Sequence, residues 1–397
     1  MDETKKKLSP AKKLLIVSVL LISAALIQHL IFDLTGVEAR QDMRMTDTGI
    51  GLTYGFDANA NFYSPGARHF YFAARDGIQN ISSTGELRWQ HGFSMTAPTM
   101  VGRGEIVAVG EPGGYNIYVF GPNGYLYSVN LSDPVLYYTV NSSGYLSVIL
   151  MTDNGYIVQV FNPDDPHNPR YGYRAPIYDD NVFPFSVDVS ECGTFIAKAR
   201  LDVDTLILSQ LSLSYVRRVD SRGMPDGLFA SYSFVDEFIA RVRFTPCGRV
   251  IVVTDQQILG FAAEGTAQDP GPLWSIPLHN RPDKFYIGEN NFAFITGDPF
   301  LNQPDADEPG ILRIYNFNGN LTGSYDLGRR ATHLSMNHNT ILAGTDRTFY
   351  AISVHGIRLW TYSAIQDVRD MLFLDNTDTV IEAGGTRATV MRRLRVQ

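Results

Sequence analysis

From Asn61 almost to the C-terminus, apolar residues fall in runs of four to eight, rich in Val, Ile, Tyr and Phe, and each run is closed by a Gly, Asn or Asp turn. That period is the period of strands, and no convincing helical repeat interrupts it. Gly104–Gly110 reads as a buried strand and Tyr115–Phe120 as the next one. Asn123-Gly124 then supplies a hairpin turn, and Asn154-Gly155 repeats it one unit later. One stretch follows a different pattern: Leu14–Phe32 is nineteen residues without a charge, interrupted only by Gln28 and His29.

The strand pattern repeats on a larger scale. A glycine turn leading into an aromatic strand occurs in Asp76–Trp89, in Gly271–Trp274 and in Gly356–Trp360, and these copies hold all 3 tryptophans. Weaker echoes lie at Gly124–Tyr127 and Gly319–Thr322. A recurring turn of this kind in an all-β chain points to a β-propeller. Units are counted best by the turn after each first strand, at residues 64–66, 101–104, 141–144, 190–193, 245–248, 288–291, 337–340 and 375–378. Successive turns end 38 to 55 residues apart, and a four-stranded blade needs about 40–45 with the excess in surface loops. This predicts eight four-stranded blades, with seven as the alternative if one weak unit is miscounted. The last unit has room for only three strands, so Gly49–Phe56 is predicted to supply the fourth and leave no open sheet edge. The tryptophans, sharing one repeat position, are expected to pack between neighbouring blades rather than to stack a ligand.

Ahead of the strands the chain divides into a basic head (1–13), the apolar segment (14–32), a polar linker (33–48) and the propeller domain (49–397). Nineteen helical residues span about 28 Å, close to the hydrocarbon thickness of a bilayer. Lys5, Lys6, Lys7, Lys12 and Lys13 precede the segment, so the expected topology is one transmembrane helix, N-terminus cytoplasmic, propeller extracellular. A cleaved signal peptide, with Val37 and Ala39 as small residues, is the competing reading and exports the body equally. The formal net charge is −8; the head contributes +3, so the remainder carries −11, with Lys198 and Lys284 as its only lysines. An acidic body argues against nucleic acid as a partner.

This layout of basic head, single apolar segment and Gly-to-Trp turns resembles a family of uncharacterised membrane-anchored propellers of clostridial and related Gram-positive bacteria. The blades are similar to quinoprotein-like and WD40-like ones. The resemblance implies the fold and the envelope location; it implies no activity, cofactor or catalytic residue.

Candidate chemistry is sparse. No Gly-x-Ser-x-Gly, His-Glu-x-x-His or phosphate loop occurs. Asp298, Asp305, Asp307 and Glu308 crowd hard oxygen ligands into one loop, but without EF-hand spacing, so an acidic solvated loop is expected over a calcium site. No other cofactor is expected. Cys192 and Cys247 share one slot in adjacent units and are expected as free, partly buried thiols. Arg241 and Arg243 alternate on a predicted innermost strand, and Asp188, Asp236 and Asp370 lie on or beside comparable strands. Either they line a polar central channel or they neutralise one another. Of 21 tyrosines, eleven fall between Tyr115 and Tyr178; Tyr171, Tyr173 and Tyr178 lie in an expected loop and are candidate contacts for an envelope protein or glycan. The functional expectation is a non-catalytic binding or scaffolding module. The alternative is an enzyme, a quinoprotein-like oxidoreductase or a glycosidase, with its site at the channel mouth.

Overall fold

Runs of β-branched and aromatic residues separated by Gly and Asn turns satisfy their backbone groups in antiparallel ladders, and among the described residues 32 strands form in this way. The computed structural model describes residues 43–55, 58–165, 173–204, 208–216, 227–262, 271–278, 282–296, 310–375 and 378–395. The strands make eight four-stranded sheets, each the blade of a propeller. Blade 1 is β2 (Asn61–Tyr63), β3 (His69–Ala74), β4 (Gly77–Ser82) and β5 (Leu87–Gly92), paired in that order. The first, innermost strands of the next six blades are β6 (Thr99–Arg103), β10 (Val135–Val140), β14 (Val182–Val189), β18 (Ile239–Phe244), β22 (Pro282–Ile287) and β26 (His333–Asn337). All eight predicted first turns join the first two strands of a blade, so the count is eight and the seven-blade alternative falls.

Blade 8 takes β30 (Asp370–Phe373), β31 (Thr379–Ala383) and β32 (Arg387–Arg395) from the end of the chain, and its outer strand β1 (Met43–Thr53) from the beginning. The ring is therefore closed by the predicted exchange, but the strand is longer and earlier than expected. Pairing starts at Met43↔Arg395 and ends at Thr53↔Arg387, with a register shift between Asp47 and Gly51. Residues 43–48, expected as linker, belong to the sheet. An outer strand needs only one apolar face, so its polar composition conceals it; Met45 packs on the core between blades 7 and 8, and Thr48 bonds to the Val390 carbonyl at 2.7 Å.

Burial follows the blade order. The second strand, such as β3, is buried along its whole length, whereas the outer β5 is mostly exposed or half-buried. Apolar clusters span blade boundaries, one joining Ala108 and Ile117 of blade 2 to Val148 and Phe161 of blade 3. The tryptophans do the same, as expected. Trp89 stacks on Phe120 and donates to the Pro122 carbonyl, and Trp274 stacks on Phe292 and donates to Phe317. Trp360 meets Phe373 edge-on. Trp274 lies so flat against its own blade that a Cβ on Gly260 would come within 2.2 Å of the ring. Among the described residues no helix is long and apolar enough to cross a membrane; Leu14–Phe32 lies outside them.

Candidate functional site

Each innermost strand runs from one face of the ring, here the far face, to the face bearing the first turns. Alternate side chains of β18 face the channel because the others, Val242 and Phe244, pack into the core shared with blade 4. The channel holds a cavity of about 810 Å³, walled by the innermost strands of blades 1, 2 and 5 to 8 and opening among first-turn residues including Ser142, Glu191, Pro246 and Gly288.

The charges in it fall into two groups. On one side Arg103, the last residue of β6, reaches across to Asp188 at 2.7 Å and Glu191 at 3.2 Å. Asp188 is buried and also accepts the Phe244 amide at 2.7 Å, while Glu191 accepts the Ser142 amide at 2.9 Å. Burial opposes the Arg103 charge, but the two carboxylates outweigh it and its pKa is raised. The second group is not compensated. Arg241 and Arg243 of β18 and Lys284 of β22 line the cavity, and among the described residues none of them has a hydrogen bond or ion pair. Burial, and then the neighbouring Arg103, push the Arg243 pKa down, with Asp188 only partly opposing.

Aromatic and titratable groups complete the wall. Tyr63 donates to the Gly104 carbonyl at 2.9 Å; the Tyr286 hydroxyl makes no such bond among the described residues. Burial raises the pKa of both. His333 lies 3.4 Å from Asp370. Burial pushes the imidazole down and the Asp370 carboxyl up, so both are biased toward their neutral forms. The arrangement can attract, orient and partly desolvate an anionic group: its uncompensated charges are cationic, and its spare donors are a guanidinium pair, an ammonium and a phenol.

Arg241 and Arg243 line the channel as expected and Asp370 lines it with them, whereas Asp188 is buried behind the wall, held by Arg103 and the Phe244 amide. Asp236 does not line the channel; it sits on the far face with a left-handed backbone, φ 55°. Mutual neutralisation holds for Arg103 with Asp188 and Glu191, and not for Arg241 or Arg243. Arg103, Lys284, His333, Tyr63 and Tyr286 escape the sequence reading, although Arg103 lies within a recognisable first turn and each of the others on an innermost strand at most four residues before one.

The tyrosine loop is corrected in part. Tyr173 is only 6 % exposed and bonds to the Lys198 ammonium within the core between blades 3 and 4, so it is a packing residue. Tyr178, between blades 3 and 4, is 70 % exposed. Tyr171 and the acidic loop of Asp298, Asp305, Asp307 and Glu308 lie outside the described residues. Among the described residues no three His, Cys, Asp or Glu are placed to hold a metal. Cys192 and Cys247 are unpaired, and both are exposed rather than partly buried, each on a first turn between two strands.

A family of unknown function (DUF5711) matches residues 56–392. No curated protein matches the sequence. Among solved structures the fold resembles that of BamB from Moraxella catarrhalis, at 11% identity and a TM-score of 0.51 over 88% of this chain and 99% of that one. It also resembles Kluyveromyces lactis Hsv2, at 10% identity and a TM-score of 0.50 over 76% and 100%. At such identities the likeness is one of fold.

Proposed function

The chain belongs to the DUF5711 family, and from that premise we propose that it is a membrane-anchored, extracytoplasmic binding module whose channel takes up an anionic group of its ligand. The observation that carries this is the cavity of about 810 Å³ in which Arg241, Arg243 and Lys284 make no ion pair or hydrogen bond among the described residues. Arg243 is half-buried while Arg241 and Lys284 are exposed beside it; a partly desolvated cation without an ion pair is costly in the free protein, and an incoming carboxylate or phosphate removes that cost. The proposed location rests on Leu14–Phe32 with five lysines ahead of it. It accords with the path of β1, whose first residue pairs with Arg395 on the first-turn face, where Arg393 bonds back to Asp378. The anchor thus joins the ring on the face where the cavity opens.

The test is a thermal melt of the full chain in detergent with citrate as probe. A ligand at one hundred times its Kd stabilises by about 2.7 kcal/mol, on the order of 5 °C for a chain of this size. Citrate is expected to raise the melting temperature of the wild type by that order, and to leave Arg243→Gln unchanged. A shift of equal size in Arg243→Gln would place the anion elsewhere.

A further inference from the structure

The face of the ring opposite the cavity mouth differs sharply between its two halves. On blades 3 to 5 that face includes, among the described residues, turns between second and third strands and connections from blade to blade at residues 152–155, 177–182, 202–204, 235–239 and 254–257. These five segments carry eight carboxylates, among them Asp153, Asp180, Asp202, Asp236 and Glu237, and no Lys, Arg or His. Blades 7 and 8 are of mixed sign on the same face, with Arg347 2.7 Å from Asp367 and Arg329 3.9 Å from Asp346.

Large apolar side chains stand exposed between the carboxylates. Val235 is 58 %, Phe238 41 % and Phe183 38 % exposed, and Met151, Tyr178 and Val203 are exposed beside them. Isolated exposed apolar residues are ordinary, but a group of them on one sector is not. They are held firmly. Phe238 stacks on Phe185 across the boundary of blades 4 and 5 at 5.0 Å, and Phe183 meets Tyr156 across blades 3 and 4 at 6.0 Å. The Phe238 amide bonds to Asp255 at 2.8 Å, and the Gln256 side chain to the Asp236 carbonyl at 2.7 Å, fixing the loop that presents the ring.

We propose that this sector docks a cationic, apolar-anchored polypeptide segment of a partner protein, its Phe or Leu side chains seated on Phe183 and Phe238 and its Lys or Arg side chains facing the surrounding carboxylates. Charge complementarity selects that occupant. An anionic lipid surface and a nucleic acid are both repelled by five described segments that together carry eight carboxylates and no Lys, Arg or His. The strand β1 begins on the opposite face, so the sector lies on the side of the ring away from the start of β1. The site is separate from the channel and does not depend on what the channel binds.

The experiment uses the full chain in detergent and three fluorescein-labelled peptides read by anisotropy: an amphipathic Lys/Phe/Leu peptide, the same peptide with Ser for Phe and Leu, and the same with Glu for Lys. The first is expected to bind with an affinity that falls as salt rises; the second at least tenfold more weakly; the third not at all. Phe238→Ser with Tyr178→Ser, or independently Asp202→Asn with Asp236→Asn, should each weaken the first peptide about tenfold with the melting temperature kept, while Arg243→Gln leaves it unchanged. Equal binding by the variants, equal binding of the Ser peptide, or capture by anionic phospholipid vesicles that Phe238→Ser abolishes would each overturn the proposal. So would a concentration-dependent dimer lost in the same variant, since the occupant would then be a second copy of the chain.

Discussion

Arg103 and Arg243 lie within electrostatic reach of each other in one channel, yet their roles differ because only one has carboxylates. Removing Arg103 leaves Asp188 buried and without its cation, and breaking a buried pair from one side typically costs about 3–5 kcal/mol. Arg103→Gln is therefore expected to lower the urea midpoint substantially. Arg243→Gln removes a cation that makes no ion pair among the described residues, so it should leave the ligand-free protein unchanged or stabilise it by about 1 kcal/mol, the usual trade between site and stability. Equal destabilisation by both would mean that Arg243 has a structural partner. A second residue fixes a pH response. His69 of β3 is buried, Arg88 lies 3.0 Å from its Nδ1, and its Nε2 has no partner. Burial and then the Arg88 charge push its pKa to about 4 from 6.5. Between those values the unfolded chain binds a proton that the native chain refuses, so this contribution is complete above pH 6.5 and is lost as pH falls toward 4. Urea midpoints at pH 7 and pH 5.5 should differ more for the wild type than for His69→Gln; identical differences would remove His69 as the cause. At this scale the sequence was only partly legible. Arg241 and Arg243 announce themselves by alternation on one strand, but nothing in the chain says that Arg103 finds carboxylates 85 and 88 positions away while Arg243 finds none.

Elements were more legible, because turns are local. The first turns of all eight blades stand in the sequence as Gly- or Asn-bearing tetrapeptides, and the three tryptophans mark where one blade leans on the next. The closing strand was legible as a need, since eight units left the last one short, and not as a boundary: Met43–Thr53 is as polar as a linker and shares that character with its partner β32. Without β1 the ladder of β32 and the apolar side of blade 8, including Ile381 and Val390, lose their cover. A chain starting at Ala58 is expected to melt well below one starting at Met43 and to associate through the bared edge. Sedimentation velocity and thermal melts compare the two; a monomeric shortened chain with unchanged melting would show that closure contributes little.

As a whole molecule the protein is a ring with two unlike faces, one on which a cavity walled by unpaired cations opens and β1 begins, and the other with an acidic, apolar-studded sector. The extracytoplasmic location is tested by protease added to wall-stripped cells, which should digest the ring and spare a tag at the N-terminus; a protected ring would put it in the cytoplasm. The central claim is that the channel holds an anion on cations the protein leaves uncompensated. Its most direct test is a difference electron-density map of the protein with and without citrate. The account predicts new density in the channel within hydrogen-bonding distance of Arg243 and Lys284. Citrate bound only on the outer surface, or an unaltered channel at a concentration that saturates the melting shift, would contradict it.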